Sequence, residues 1–196
     1  MGTKIMKTIK GRLVAFALFF TLATSSLSLF AATPSTKSGQ GLERQQVQKR
    51  IRKELVTLPY YGVFDNLAYQ VEGDTVTLSG QVVRPSTRAD AGRRVAKLKG
   101  VARVVNNIEV LPLSPFDDRI RAQAYRSIFN AGGLYRYALG SNPSVHIVVK
   151  GGHVTLEGVV ANEMDKQLAY FAANNVPGVF SVTNNLRAES EERKRR

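Results

Sequence analysis

The chain has no cysteine, no tryptophan and only two histidines in 196 residues. Without thiols there is no disulfide, no thiolate nucleophile and no side chain for lipoprotein-type anchoring. His146 and His153 have no second histidine or cysteine at ligand spacing, which removes the common zinc patterns. No G-x-S-x-G, Walker A or H-E-x-x-H sequence occurs, and the acidic residues are scattered without a pair on matched elements. Negative charge is scarce: 15 Asp+Glu stand against 28 Lys+Arg, a net charge of +13. These absences predict a non-enzymatic protein with no catalytic residue, no cofactor and no metal.

Long apolar runs are missing too, except at the start. Lys4, Lys7, Lys10 and Arg12 surround the beginning of an apolar stretch, Leu13 to Leu22, followed by Ser/Leu-rich residues and Ala31-Ala32. This is the layout of a secretory signal peptide over residues 1–32. Its core is shorter than the roughly 20 residues of a membrane span. Extension through Phe30 makes an uncleaved inner-membrane anchor the alternative, and the cleavage position stays open. The expected location is the periplasm. Residues 33–196 carry 24 Lys+Arg against 15 Asp+Glu, net +9. An exported basic chain of this kind meets anionic phospholipid, other envelope polymers or envelope proteins, and no nucleic acid.

What the chain does have is a repeat. Gly73 to Ile108 recurs at Gly151 to Leu186, 78 positions later and without a gap. VTLSG (76–80) returns as VTLEG (154–158), and GVARVVNNIEV (100–110) returns as GVFSVTNNLRA (178–188). Such a period means two copies of one small unit. Thr33–Gly41 (TPSTKSGQG) reads as a disordered linker. Val47, Ile51, Leu55 and Leu58 form one stripe of an amphipathic helix that Pro59 ends. Leu67, Tyr69 and Val71 alternate as a half-buried strand; Glu72-Gly73-Asp74 is a turn, and Thr75–Val83 the next strand. A second helix follows Pro85, and Val101–Val110 is the closing strand.

The second copy repeats this order. Its first helix runs from about Phe116 to Phe129, with Asp117 and Asp118 in the first turn. The fold class is therefore α+β: two tandem αββαβ modules, each a three-stranded mixed sheet covered by two helices. The divisions are 42–112 for the first module, 113–188 for the second and 189–196 for a charged tail.

The order, with its GDTVTLSG hairpin and GVARVVNNIEV closing strand, resembles the BON domain family, named for bacterial osmotically induced and nodulation-related proteins. The resemblance covers residues 43–188. Two copies behind an export signal, without cysteine, are similar to the osmotically inducible periplasmic protein group. That resemblance implies periplasmic residence, no enzymatic activity, and affinity for phospholipid membranes during envelope maintenance or osmotic stress. It carries no sharp set of binding residues. The glycines and the Asn106-Asn107 and Asn184-Asn185 pairs read as fold residues.

Candidate contact residues come instead from differences between the copies. Met164, Leu168 and Phe171 make an apolar stripe about 120° from the core stripe of their helix. The equivalent positions of the first copy, Ser86, Asp90 and Arg93, are polar. The stripe must face the other module, a partner subunit in a homo-oligomer, a client protein or lipid. The loop 130–144, longer than its counterpart, brings Tyr135, Arg136 and Tyr137 together, a mix suited to a membrane interface or to packing over a module edge. Lys49, Arg50, Arg52, Lys53, Arg88, Arg93, Arg94, Lys97 and Lys99 give the first module basic helix faces. The leading expectation is peripheral binding to anionic phospholipid. The rival is a periplasmic adaptor or chaperone that uses the apolar stripe of the second module.

Overall fold

The computed structural model describes residues 37–140 and 142–190. The signal-peptide reading over 1–32 and the tail from Glu191 on lie outside the described residues. Each copy folds as helix, strand, strand, helix, strand. In the first, α1 (Lys37–Val56) is followed by β1 (Asn66–Glu72), β2 (Thr75–Val82), α2 (Pro85–Ala96), β3 (Arg103–Asn106) and β4 (Glu109–Val110). In the second, α3 (Pro115–Phe129), β5 (Val145–Lys150), β6 (His153–Val160), α4 (Glu163–Asn174), β7 (Ser181–Asn184) and β8 (Arg187–Ala188) follow the same order. β1 and β2 form an antiparallel hairpin, and β3 and β4 both run parallel to β2. The second sheet has the same layout, with β5 at its edge and β6 at its centre.

The closing strand is not continuous as expected. It breaks at Asn107-Ile108 and again at Asn185-Leu186, so each sheet has four strands in three positions. The leading asparagine explains the break. Asn106 Nδ2 donates to the Arg88 carbonyl in α2 at 2.9 Å, and its Oδ1 accepts the Ile108 N–H at 3.3 Å. Asn184 repeats both bonds, to the Lys166 carbonyl in α4 and from the Leu186 N–H. The side chain replaces the ladder locally and ties the strand to the crossing helix. Ile108 and Leu186, freed from the ladder, turn into the two cores.

The cores follow the repeat. Val76, Leu78, Val82 and Ala91 of the first are met by Val154, Leu156, Val160 and Ala169 of the second. α1 contributes Ile51, Leu55 and Leu58, with Val47 at the edge, as the helical spacing predicts. A second expectation changes at the N-terminus. Lys37–Gly41 belongs to α1, although it reads as linker; once packing has fixed the later turns, extending the helix backwards only propagates it.

The modules pack into one compact unit, and the segment between α1 and β1 joins them. Val63 and Phe64 pack on the core of the second module. Phe64 meets Tyr125 edge-on at 6.3 Å between centroids, and Tyr125 in turn meets Phe129 at 4.9 Å. The Ile147 N–H donates to the Val63 carbonyl at 2.7 Å, and Lys150 pairs with Glu109 at 2.6 Å. β1 is half-buried and alternating, whereas β5 is buried from Val145 through Val149 because this segment covers its far side.

Candidate functional site

The helix layer of the first module carries the predicted basic residues. Ile51 and Leu55 point to the core, so Lys49 and Lys53, about 160–200° round the helix, point away from it. Arg93 on α2 and Lys97 at its C-cap stand the same way, opposite Ala91 and Val95. Arg93 is bonded to Asp90 three residues earlier, and Arg94 reaches Glu54 at 3.5 Å. Lys49, Arg50, Arg52, Lys53, Arg88, Lys97 and Lys99 are exposed and have no carboxylate partner among the described residues. The nine predicted basic residues therefore share one helix layer, and two of the nine are neutralised. Arg50 and Lys99 also line a shallow groove between α1 and the α2–β3 turn, with Glu43 at its rim.

The apolar stripe of α4 is divided. Met164 is 76 % and Phe171 57 % exposed, and neither takes part in joining the modules. Leu168 between them packs against the second core, where Gly132 gives it room: a Cβ on Gly132 would lie 2.4 Å from its methyl. The loop after α3 provides this cover. Leu134, in a short 3-10 helix (Leu134–Ala138), is fully buried, and Tyr135 and Leu139 remain exposed.

The structure separates the three predicted loop residues. The Tyr137 hydroxyl donates to Asp165 Oδ2 at 2.5 Å and accepts the Ala161 N–H at 2.9 Å. Arg136 donates to the Tyr137 hydroxyl at 3.2 Å and to the same carboxylate at 2.5 Å; the Tyr137 bond first, and Asp165 second, hold its charged form more firmly. Asp165 also caps α4 with Asn162. Arg136 and Tyr137 are thus tied to α4, Arg136 while still exposed, and Tyr135 faces outward without such a tie. Their fastening was not legible because Asp165 looks like an ordinary first-turn acid.

Two further features escaped sequence reasoning. One is an exposed aromatic end on the second module, where Phe116 and Phe180 lie 6.0 Å apart, and Phe180 is 70 % exposed. Ala102 stands in the place of Phe180 in the first copy, which is the signal that could have found it. The other is the junction itself. His146 reads as a strand-face histidine, yet it is buried, with Nδ1 3.2 Å from the Gly62 carbonyl and its ring 5.5 Å from that of Tyr61. Burial lowers its pKa and raises that of Tyr61 to about 12. Asp65, close by, accepts from Val83 N–H at 2.7 Å and Gly62 N–H at 3.0 Å; burial still raises its pKa. These groups hold backbone, and they form no convergent acid–base pair. Among the described residues no cluster of His, Asp and Glu could hold a metal ion, and no helix is long and apolar enough to cross a membrane.

The repeated architecture is that of a known protein family. The BON domain family model matches residues 44–112 and again 117–190. The chain belongs to the BON domain family. BON proteins are associated with membranes and the cell envelope and are generally non-catalytic. No curated protein sequence matches this two-BON chain. Two solved structures of CdsD, a structural protein of the type III secretion system of Chlamydia trachomatis, align at 13% and 11% identity. They cover 71% and 76% of this chain and 96% of their own, with TM-scores of 0.27 and 0.29. Scores of that size say nothing about what the BON pair binds.

Proposed function

We propose that this protein is an exported, non-enzymatic envelope protein that binds anionic phospholipid membranes peripherally, in envelope maintenance or osmotic stress. The supporting observation is the outer helix layer of the first BON module, where Lys49, Lys53 and Lys97 point outward without a carboxylate partner among the described residues. Each Lys or Arg beside an anionic surface contributes roughly 1 kcal/mol. Three outward cations give about 3 kcal/mol, a dissociation constant of several millimolar. Met164 and Phe171 supply exposed apolar side chains on the other module, and insertion of one would add about 1.5–3 kcal/mol. The reading is reversible, salt-sensitive adsorption.

The test is co-sedimentation of residues 33–196 with phosphatidylglycerol or phosphatidylcholine vesicles at low and physiological salt. Pelleting with the anionic vesicles alone, reversed by salt and reduced at least tenfold by K49E/K53E, is the expected result. Equal pelleting by the charge-reversed variant, or none with any vesicle, would sink the lipid reading. In the second case the exposed Met164 and Phe171 would return to the adaptor reading, whose binding to apolar clients should resist salt.

A further inference from the structure

The junction between the modules contains a cleft of about 630 Å³. One wall is β1 itself, from Asn66 to Tyr69, with Arg52, Leu55 and Val56 of α1 above it; the other is the approach to β5, from Asn142 to Ser144 and His146. Among the described residues β1 pairs with β2 alone, so one side of its backbone is an edge.

The register says which groups that edge presents. A two-residue turn joins Glu72 to Thr75, its closing pair. Bonding alternates along an antiparallel pair, so Glu72, Gln70 and Ala68 turn their amides to β2, whereas Val71, Tyr69 and Leu67 turn theirs away. The second module confirms the parity. Its hairpin closes in the same way, at Lys150 and His153, and Ile147, three residues before the turn like Tyr69, sends its N–H out of the sheet to Val63. The backbone of Leu67 meets the Tyr61 hydroxyl. Among the described residues no other backbone group bonds the amide of Tyr69 or Val71.

We propose that this cleft is a peptide-binding site, in which an extended segment of a partner protein adds as a strand to the free edge of β1, with an acidic side chain or its C-terminal carboxylate against Arg52. Main-chain bonds to such an edge supply affinity, and alternate side chains enter pockets. Leu55, Val56, Leu67, Pro143 and Val159 provide the apolar lining. The lining holds two cations, Arg52 and Arg187, against one acid, Glu189; Arg52 is exposed and has no carboxylate partner among the described residues, so the cleft favours an acid there. The other edge strand, β5, cannot serve in the same way, because Val63 already occupies it. The inference is independent of the lipid reading, which uses the outward side of the same helix.

The experiment screens a displayed library of random nonapeptides against the full immobilised chain, then follows the best peptide by amide hydrogen exchange. The expected peptides alternate β-branched residues and carry an acid. Binding slows exchange of the Tyr69 amide at least tenfold and leaves Ala68 and Gln70, already bonded within the sheet, unchanged. R52E, a change at an exposed site, weakens binding at least tenfold, whereas K49E/K53E leaves it intact. Peptides that protect another surface, bind R52E equally well, or fail to enrich at all would overturn the proposal.

Discussion

At the scale of single residues, glycines that look alike in the repeat do different work. Gly73 sits at φ +62° in a hairpin turn with open space where a Cβ would go. Gly80 sits at φ +113°, and a Cβ there would lie 2.1 Å from the Asn66 carbonyl oxygen; Gly158 repeats this at 2.0 Å from Ser144. Gly73→Ala should therefore lower stability by about 1–2 kcal/mol, the cost of a left-handed L residue. Gly80→Ala must also push strands apart and should cost clearly more, or prevent folding. Urea unfolding of the two variants checks the order; equal losses would mean the close approach carries no weight. Asn106 and Asn184 show the same economy of identity and role, since each makes the same pair of bonds to helix and strand.

At the scale of elements, α3 does more than begin with favourable acids. Asp117 is buried and accepts the Gly151 N–H at 2.9 Å and the Gly152 N–H at 2.8 Å, which fastens the β5–β6 turn to the helix start. Beside it, Arg121 donates to the Val149 carbonyl at 2.8 Å. Asp117→Ala would leave two turn amides without their carboxylate, at about 1.5–3 kcal/mol for a bond to a charged group. Faster amide exchange at Gly151 and Gly152, with β1–β2 unaffected, is the expected outcome. The helix stripes also reveal an offset. Ile120, Ala124 and Ile128 correspond to Val47, Ile51 and Leu55 at 73 positions, five fewer than in the rest of the repeat. Those five extra residues in the loop after α3 place Leu134 in the core and cover Leu168. The loop's length and its aromatic content were visible in the sequence, but its fastening to Asp165 was not.

At the scale of the whole molecule, the modules are joined through a histidine whose neutral form burial favours. Burial lowers the His146 pKa, while the unfolded chain keeps a value near 6.5. Below about pH 6.5 the unfolded state binds more protons than the folded one, so stability falls as pH falls towards the lowered folded pKa. Asp65, raised by burial, acts with the opposite sign at lower pH, and Glu157 and Tyr61 also face the ring. The Tm of the chain should drop between pH 7 and pH 5, and the drop should shrink in His146→Phe. An equal drop in that variant would place the titration elsewhere. The adsorbing surface predicted above belongs to this scale too, since its cations sit on one module and the exposed Met164 and Phe171 on the other.

Local pattern determined the units. The 78-residue repeat, the helical stripe of Val47 to Leu58, the period-two strands and the turn glycines specify two αββαβ modules, because side-chain periodicity and backbone sterics act within a few residues. The exposure of Lys49, Lys53 and Lys97 was equally legible, since cations opposite a core stripe face outward; where Arg52 and Arg94 turn was not. Tertiary structure alone decided how the copies meet. Tyr61, Val63 and Phe64 carry no periodic signal, yet they bury β5 and His146, leave β1 with a free edge, and open a cleft beside it. It also decided that Leu168 is covered while Met164 and Phe171 are not, because a stripe shows which side of a helix is apolar and only the neighbouring loop determines what is left to face water.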